Sequence, residues 1–279
     1  MLIKENVIWT PDNSNLLKYR AEIESGKIIA GQEMIMQLEN LEEDLKHNDE
    51  YFYNTDDANL RMDFMENCIR LTKSPYYNMP MVLMLWQKAF IETMYSFKMA
   101  KDLRDSGKVI DRFKKILLLI ARKNTKSETC SALGNAEFIV GNQGADVVCS
   151  SNDDAQASIV YDAMDTMRSM FDPNDLDTKR NQRFILNKNT NTKIWKLSST
   201  TRNKEGRNID FAIIDEVHEM KDNIIVKPIE QSQSLKENPK LIEITTEGFV
   251  NDGYLDGELK KARAIIKGEA DSLSAKRFL

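Results

Sequence analysis

Lys114-Lys115-Ile116-Leu117-Leu118-Leu119-Ile120-Ala121-Arg122-Lys123-Asn124-Thr125-Lys126-Ser127 runs from two lysines through an apolar stretch into a short polar loop that closes on Lys-Ser. A short apolar run bounded by polar residues reads as a buried strand. A loop and helix that follow such a strand can bring backbone N–H groups, an ammonium and a hydroxyl together around phosphates and Mg²⁺. About ninety residues further on, Ile209-Asp210-Phe211-Ala212-Ile213-Ile214-Asp215-Glu216-Val217-His218 is a second apolar run, with two carboxylates at its end. In this order and spacing the two segments predict the halves of a nucleoside triphosphatase site.

Each residue type has a reason to be there. Lys126 is expected to reach the β- and γ-phosphates, and Ser127 to ligate Mg²⁺ beside Asp215. The helix beginning at Lys126 would point its positive end at the phosphates. Glu216 is placed to orient or deprotonate the attacking water. The ordinary pattern G-x-x-x-x-G-K-[ST] is broken at both glycines, with Ile120 at the first and Thr125 at the second. That turn often needs a backbone conformation that a β-branched residue adopts only with strain. Either the loop takes another conformation or nucleotide binding is weakened.

Composition sets the bounds. The chain of 279 residues can hold one large α/β domain with an added lobe, or two small domains. It is 41% hydrophobic and 30% charged, which predicts a soluble globular protein, and no apolar stretch is long enough to span a bilayer. The N-terminus lacks the apolar core of a signal peptide, so an intracellular protein without membrane attachment is expected. Cys68, Cys130 and Cys149 are widely spaced and accompanied by two histidines, which supports neither a disulfide framework nor a zinc site. The net charge is −5, yet Lys179 to Arg207 holds nine basic residues against the single acidic Glu205. Such a stretch is either a solvated face or a contact for nucleic-acid phosphates.

Helical spacing predicts two helices over 14–46, broken by Gly26 and Gly31, a third over 56–72 and a fourth over 83–103. After Gly107 the character changes to short apolar runs alternating with helical stretches, the pattern of a βαβ sheet. Strands are expected at 115–120, 146–150, 183–187, 192–198, 210–215 and 240–245. Helices are expected at 126–140 and 153–171, the latter capped by Asp153-Asp154. Residues 183–198 read as a hairpin around Lys188-Asn189-Thr190-Asn191, and the stretch from Gly253 as a charged helix. The division expected is an N-terminal helical lobe over 1–80 and a phosphate-loop ATPase domain over 81–279.

Arg122-Lys123-Asn124-Thr125-Lys126-Ser127 resembles the deviant Walker A segment of tailed-phage terminase large subunits, which in one large branch reads Arg-Lys-Asn-Gly-Lys-Ser. Ile213-Ile214-Asp215-Glu216-Val217-His218 resembles that branch's Walker B with its Asp-Glu-x-His. Leu85-Trp86-Gln87 is similar to the family's adenine-contacting element, and Ile244-Thr245-Thr246-Glu247-Gly248 to its coupling motif, usually Thr-Thr-Ala-Gly. Gly206 shortly before Walker B also agrees, so the resemblance covers roughly residues 14–260. Departures are Thr125 for glycine and Glu247 for alanine.

The resemblance implies an α/β P-loop NTPase of the ASCE type, with a mainly parallel sheet flanked by helices and an N-terminal helical lobe. It implies an ATPase motor that uses ATP and Mg²⁺ to drive packaging of double-stranded DNA into a procapsid. Its partners would be the portal protein, the small terminase subunit and further copies of itself in a ring, in the cytoplasm of a bacterial host. Carried over, Gln87 would contact adenine, and Arg122, Lys123, Asn124, Thr125, Lys126 and Ser127 would form the nucleotide site. Ser127 and Asp215 would bind the metal, and Glu216 would be catalytic. Arg122 would sense or stabilise the γ-phosphate, and Thr245-Thr246 would relay hydrolysis to DNA movement. His218 is expected either to hydrogen-bond beside the metal or simply to face solvent, rather than to ligate it. Lys188, Lys193 and Lys196 are the residues expected to meet DNA. Family members continue into an RNase H-like nuclease domain, for which nothing after residue 260 offers room, so nuclease activity is not expected. Two other readings remain open: a helicase-like translocase, and a degenerate P-loop module that binds nucleotide or DNA without efficient hydrolysis.

Overall fold

The structure, a computed structural model, describes residues 7–47, 50–100, 108–197, 207–248, 252–270 and 272–279. It resolves into two units. One contains residues 1–62, 83–113 and 260–279, and the other 63–82 and 114–259.

The first unit holds α1 (Asn15–Glu24), α2 (Gln32–His47), β1 (Tyr51–Tyr53), the first half of α3 (Asp56–Cys68), α4 (Leu85–Ser96) and β2 (Phe97–Met99). Its core is Leu16, Leu38, Leu41, Tyr51, Phe97, Met99, Ile110 and Phe113. Ser14 caps α1, its side chain accepting from Leu17 N. The cap is itself anchored: the buried Glu92 carboxylate accepts from Ser14 Oγ at 2.6 Å, Leu16 N at 3.2 Å and Tyr53 OH at 2.8 Å. The division expected at 80/81 differs from this unit. β2 pairs antiparallel with β1, Tyr51 opposite Met99 and Tyr53 opposite Phe97, and that pairing carries residues 83–113 back to the N-terminal elements. The fourth helix accordingly stops at Ser96, where an expectation of helix to 103 overran a strand; residues 101–103 lie outside the described residues.

The second unit is a seven-stranded sheet. Its strands are β3 (Lys115–Leu119), β4 (Asp146–Ser151), β5 (Thr178–Arg180), β6 (Phe184–Asn187), β7 (Lys193–Leu197), β8 (Ile209–Asp215) and β9 (Lys240–Thr245), in the order β3-β9-β8-β4-β7-β6-β5. The first five in that order are parallel, and β6 and β5 follow antiparallel, with β6 and β7 forming the expected hairpin. α5 (Lys126–Val140), α6 (Asp154–Phe171), α7 (Val226–Ser232) and the first half of α8 (Tyr254–Ile266) belong to this unit, and α9 (Leu273–Lys276) to the other. β9 is buried at every position and β8 at all but Asp210, as expected of parallel strands covered on both faces. α5 and α6 approach closely at Gly134, where a Cβ would come within 2.4 Å of Met164 Cε. Among the described residues no helix is long and apolar enough to cross a membrane. Cys130 and Cys149 are buried, and burial pushes both thiols well above the usual range.

A charged cluster is built into this unit around Lys115. Its Nζ lies 2.9 Å from Glu230 Oε1, 3.3 Å from Glu243 Oε1, 3.0 Å from Glu258 Oε2 and 2.8 Å from the Tyr254 hydroxyl. Tyr254 donates to Glu243 Oε1 at 2.6 Å. Burial raises the Glu243 pKa to about 7 against the opposing pull of Lys115. Burial also works against the Lys115 ammonium, but Glu243, Glu230 and Glu258 outweigh it and hold its pKa above the usual lysine value.

Candidate active site

The register of the parallel strands brings the expected residues to one edge. Leu119 at the end of β3 stands opposite Thr245 at the end of β9, Ile244 opposite Asp215 at the end of β8, and Asp215 opposite Ser151 at the end of β4. The carboxyl ends of four neighbouring strands thus coincide, the place where open α/β sheets carry their ligands.

The loop after β3 turns into α5 through two left-handed residues, Lys123 (φ 66°) and Thr125 (φ 60°, ψ 18°). The phosphate-loop turn therefore keeps the geometry that normally calls for glycine, and a β-branched residue in it costs about 1–2 kcal/mol. Thr125 compensates in part: its hydroxyl donates to the Asn124 carbonyl at 2.7 Å, and its own carbonyl accepts from Thr129 N at 2.8 Å and Thr129 Oγ1 at 2.9 Å. Asn124 Nδ2 donates to the Ala121 carbonyl at 3.1 Å, closing the loop on itself. Arg122, Lys123 and Asn124 are exposed. One turn into α5, Glu128 accepts from Thr72 N at 2.6 Å and Thr72 Oγ1 at 3.0 Å, which ties the loop after α3 to the start of this helix.

Lys126, Ser127, Asp215 and Glu216 meet directly. Lys126 Nζ bridges Asp215 Oδ1 at 3.0 Å and Glu216 Oε1 at 2.7 Å, and Ser127 Oγ donates to Asp215 Oδ2 at 2.9 Å. Glu216 takes a left-handed backbone (φ 55°, ψ 47°) directly after β8, and its N–H returns to Asp215 Oδ1 at 2.8 Å. That turn sends the two consecutive carboxylates to the same ammonium, where an extended strand would alternate them. Ser151, absent from the sequence expectations, donates to the Asp215 carbonyl at 2.9 Å and lies 3.0 Å from Gln156 Oε1; Gln156 Nε2 donates to Glu219 Oε2 at 2.7 Å. A serine pair at the end of β4 was the available signal, but only the strand order shows that β4 adjoins β8.

His218 sits in a single 3₁₀ turn (Val217–Glu219), within 3.0 Å of Thr245 Oγ1 and 3.2 Å of Glu216 Oε2 through Nδ1. Thr245 thus joins the site. Thr246 is buried with its hydroxyl unpartnered. Gln87 belongs to the first unit, buried in the first turn of α4, where its side-chain oxygen accepts from Met84 N at 2.6 Å. The lysines expected to meet DNA have partners within the chain. Lys188 Nζ donates to the Asp175 and Leu176 carbonyls, Lys193 lies over the Phe184 ring, and Lys196 pairs with Asp154 at 2.7 Å. Arg202, Lys204 and Gly206 lie outside the described residues.

The donor set suits a hard divalent cation. Asp215 Oδ2 and Ser127 Oγ converge at 2.9 Å, and among the described residues no three His, Cys, Asp or Glu side chains cluster to enclose a metal. A cation held by one carboxylate and one hydroxyl would complete its shell with water and phosphate oxygens, as Mg²⁺ commonly does.

Comparison with known proteins adds the ancestry of this site. Residues 85–264 match the family described as "Terminase large subunit, ATPase domain". The terminase large subunits of Lactococcus phages p2 and SK1 are each 25% identical over 226 residues, covering 77% of this chain and 40% of theirs. The crystal structure of the HK97 bacteriophage large terminase superposes with a TM-score of 0.63 at 21% identity, covering 80% of this chain and 43% of that one. The chain therefore spans about two fifths of the length of these relatives.

Proposed function

This chain belongs to the family of terminase large subunit ATPase domains, and on that premise we propose that it hydrolyses ATP with Mg²⁺ to drive double-stranded DNA into a procapsid. The observation that carries the reading is the convergence of Lys126, Ser127, Asp215 and Glu216 at the carboxyl edge of the sheet. In this reading the Lys126 ammonium leaves its two carboxylates for the phosphates, and the carboxylates are released to their own tasks. Asp215 and Ser127 hold Mg²⁺, which when bound neutralises charge on the transferring phosphoryl group. Glu216, freed from Lys126, accepts a proton from the attacking water or orients it. Arg122 and Lys123 are exposed on the loop and reach the nucleotide from there; Asn124 and Thr125 shape the turn. Gln87 contacts adenine, and Thr245 and Thr246 pass the result of hydrolysis to DNA movement.

Glu216→Gln is the direct test, because the amide keeps the shape and loses the base. Turnover should fall by about 10²–10⁴-fold with ATP affinity nearly unchanged. Parental turnover in that variant would remove Glu216 from the catalytic role, whereas a parent chain without Mg²⁺-dependent turnover would overturn the hydrolytic reading.

The DNA partner follows the same reading, with contacts to phosphates rather than bases, since a packaging motor must move any sequence. Portal protein, small subunit and neighbouring copies in a ring belong to it too, in the host cytoplasm. For Lys196, DNA contact means exchanging Asp154 for a phosphate. Replacing Lys188, Lys193 and Lys196 by Ala together should lower DNA stimulation of the ATPase and flatten its salt dependence. Parental stimulation by the triple variant would assign these lysines to the fold alone.

A further inference from the structure

The turn after β8 and the end of β9 meet at one hydroxyl. Thr245 Oγ1 accepts the His218 backbone N–H at 3.0 Å, lies 3.0 Å from His218 Nδ1 and donates to the Thr246 carbonyl at 2.8 Å. A carbonyl oxygen can only accept, so with the hydroxyl's single proton on Thr246, Nδ1 brings its own proton to the contact. In that arrangement His218 is the Nδ1–H tautomer. The same Nδ1 is 3.2 Å from Glu216 Oε2, a buried oxygen with no hydrogen-bond partner, because the N–H is aimed at Thr245. Nε2 lies 4.0 Å from Glu219 Oε1, beyond hydrogen-bond reach. The ring has little freedom: a Cβ on Gly248 would come within 2.4 Å of His218 Cδ2 and 2.6 Å of its Cβ, so glycine is what lets the segment after Thr246 lie against the imidazole.

We infer that His218 is a positioning residue whose single Nδ1–H is shared between Thr245 and the catalytic carboxylate of Glu216. While Thr245 holds the N–H, Glu216 Oε2 has no donor. When Thr245 withdraws, the N–H passes to Oε2 and fixes the carboxylate's orientation. The proton stays on Nδ1 throughout; only its acceptor changes. The position of the coupling threonine thereby sets the readiness of the base, a link that works in both directions because the two acceptors compete for one donor. The inference rests on Glu216 being the catalytic carboxylate, as proposed above.

The chain has two histidines, so ¹⁵N-histidine labelling with His47→Gln leaves one imidazole to observe. Its Nδ1 should carry the proton, in the parent and in Thr245→Val alike; an Nε2–H tautomer overturns the inference. Kinetics read the same link. An Asn amide at 218 puts a donor near the place of Nδ1, whereas a Gln amide lies nearer that of Nε2. His218→Asn should keep kcat within about threefold and His218→Gln should lose about tenfold or more, whereas Thr245→Val, which removes the competing acceptor, should raise basal kcat by about threefold or more, each with KM for ATP little changed. The double variant His218→Gln/Thr245→Val should be as slow as His218→Gln alone, because without the N–H there is no donor for Thr245 to release. Equal activity of the Asn and Gln variants, or a Thr245→Val slower than the parent, would overturn the positioning role. If the variants at 218 do not fold, the tautomer measurement and Thr245→Val against Thr245→Ser decide alone. A dead Glu216→Gln beside a fully active His218→Gln removes only this inference, whereas an active Glu216→Gln removes the reading beneath it.

Discussion

Two lysines of the sheet unit, Lys115 at the start of β3 and Lys126 just beyond its end, each sit among carboxylates with opposite results. Lys126 has two, and neither depends on it alone: Asp215 also receives Ser127 Oγ and the Glu216 N–H, and the Glu216 side chain is 29% exposed. Lys115 has three, of which Glu243 is fully buried and Glu258 nearly so. With one cation for three acids, two of them buried, the Glu243 carboxyl is pushed toward its neutral form. The chemistry of the two groups is the same. What separates the two is how many acids each lysine has to balance, two for Lys126 and three for Lys115.

The largest test of that contrast is a pair of substitutions. Lys115→Ala leaves buried acids uncompensated and should cost about 3–5 kcal/mol in chemical denaturation, with catalysis per folded molecule close to parental. Lys126→Ala should cost about 1 kcal/mol or less in the same assay, yet weaken ATP binding roughly 10- to 100-fold through loss of a charge-assisted contact. Equal stability losses at the two sites would erase the distinction.

Acidity sharpens it next. Glu243 has a folded pKa of about 7 against an ordinary 4.5. The folded chain thus binds its proton more tightly than the unfolded one. The stability this contributes is fully present below pH 4.5 and is lost as pH rises through 7, on the order of 3 kcal/mol. Glu243→Gln, which stays neutral, should flatten the stability profile between those limits; an unchanged slope in urea titrations across pH 5–8 would mean that another group titrates there. The smallest expected effect belongs to the phosphate loop. Thr125→Gly relieves a left-handed β-branched residue and should stabilise the chain or tighten ATP binding by about 1 kcal/mol, measured by ATP titration and thermal melting together. A large loss of activity would give the Thr125 hydroxyl a direct role.

The meeting of Lys126, Ser127, Asp215 and Glu216 was legible from the chain and the cluster around Lys115 was not, for physical reasons. Phosphate chemistry demands Lys-Ser and Asp-Glu at strand ends, so type and position coincide in Lys126, Ser127, Asp215 and Glu216. Lys115, Glu230, Glu243 and Glu258 come from four separate elements, and only strand order and helix packing bring them together. The motif's missing glycine announced the left-handed turn at Thr125; nothing announced the same conformation at Glu216, where neither glycine nor asparagine stands. Long apolar runs placed six strands correctly, whereas β1, β2 and β5 have three residues each, too few to show alternation. The interleaving of the two units was hidden for a related reason: it follows from the pairing of β1 with β2, which are far apart in the chain.

The adjacency of β3 and β9 is also a statement about time. The phosphate-loop strand leaves the ribosome long before the strand that hydrogen-bonds to it, and β8, which brings Asp215 and Glu216, joins the sheet through β4 and β9. Synthesis proceeds at about 5–20 residues per second, so for some seconds the nascent chain holds Lys126 without the carboxylates that receive it. Pairings of this span close slowly, because a long loop must be ordered before any contact compensates. Nascent chains halted before Glu216 should consequently lack ATPase activity.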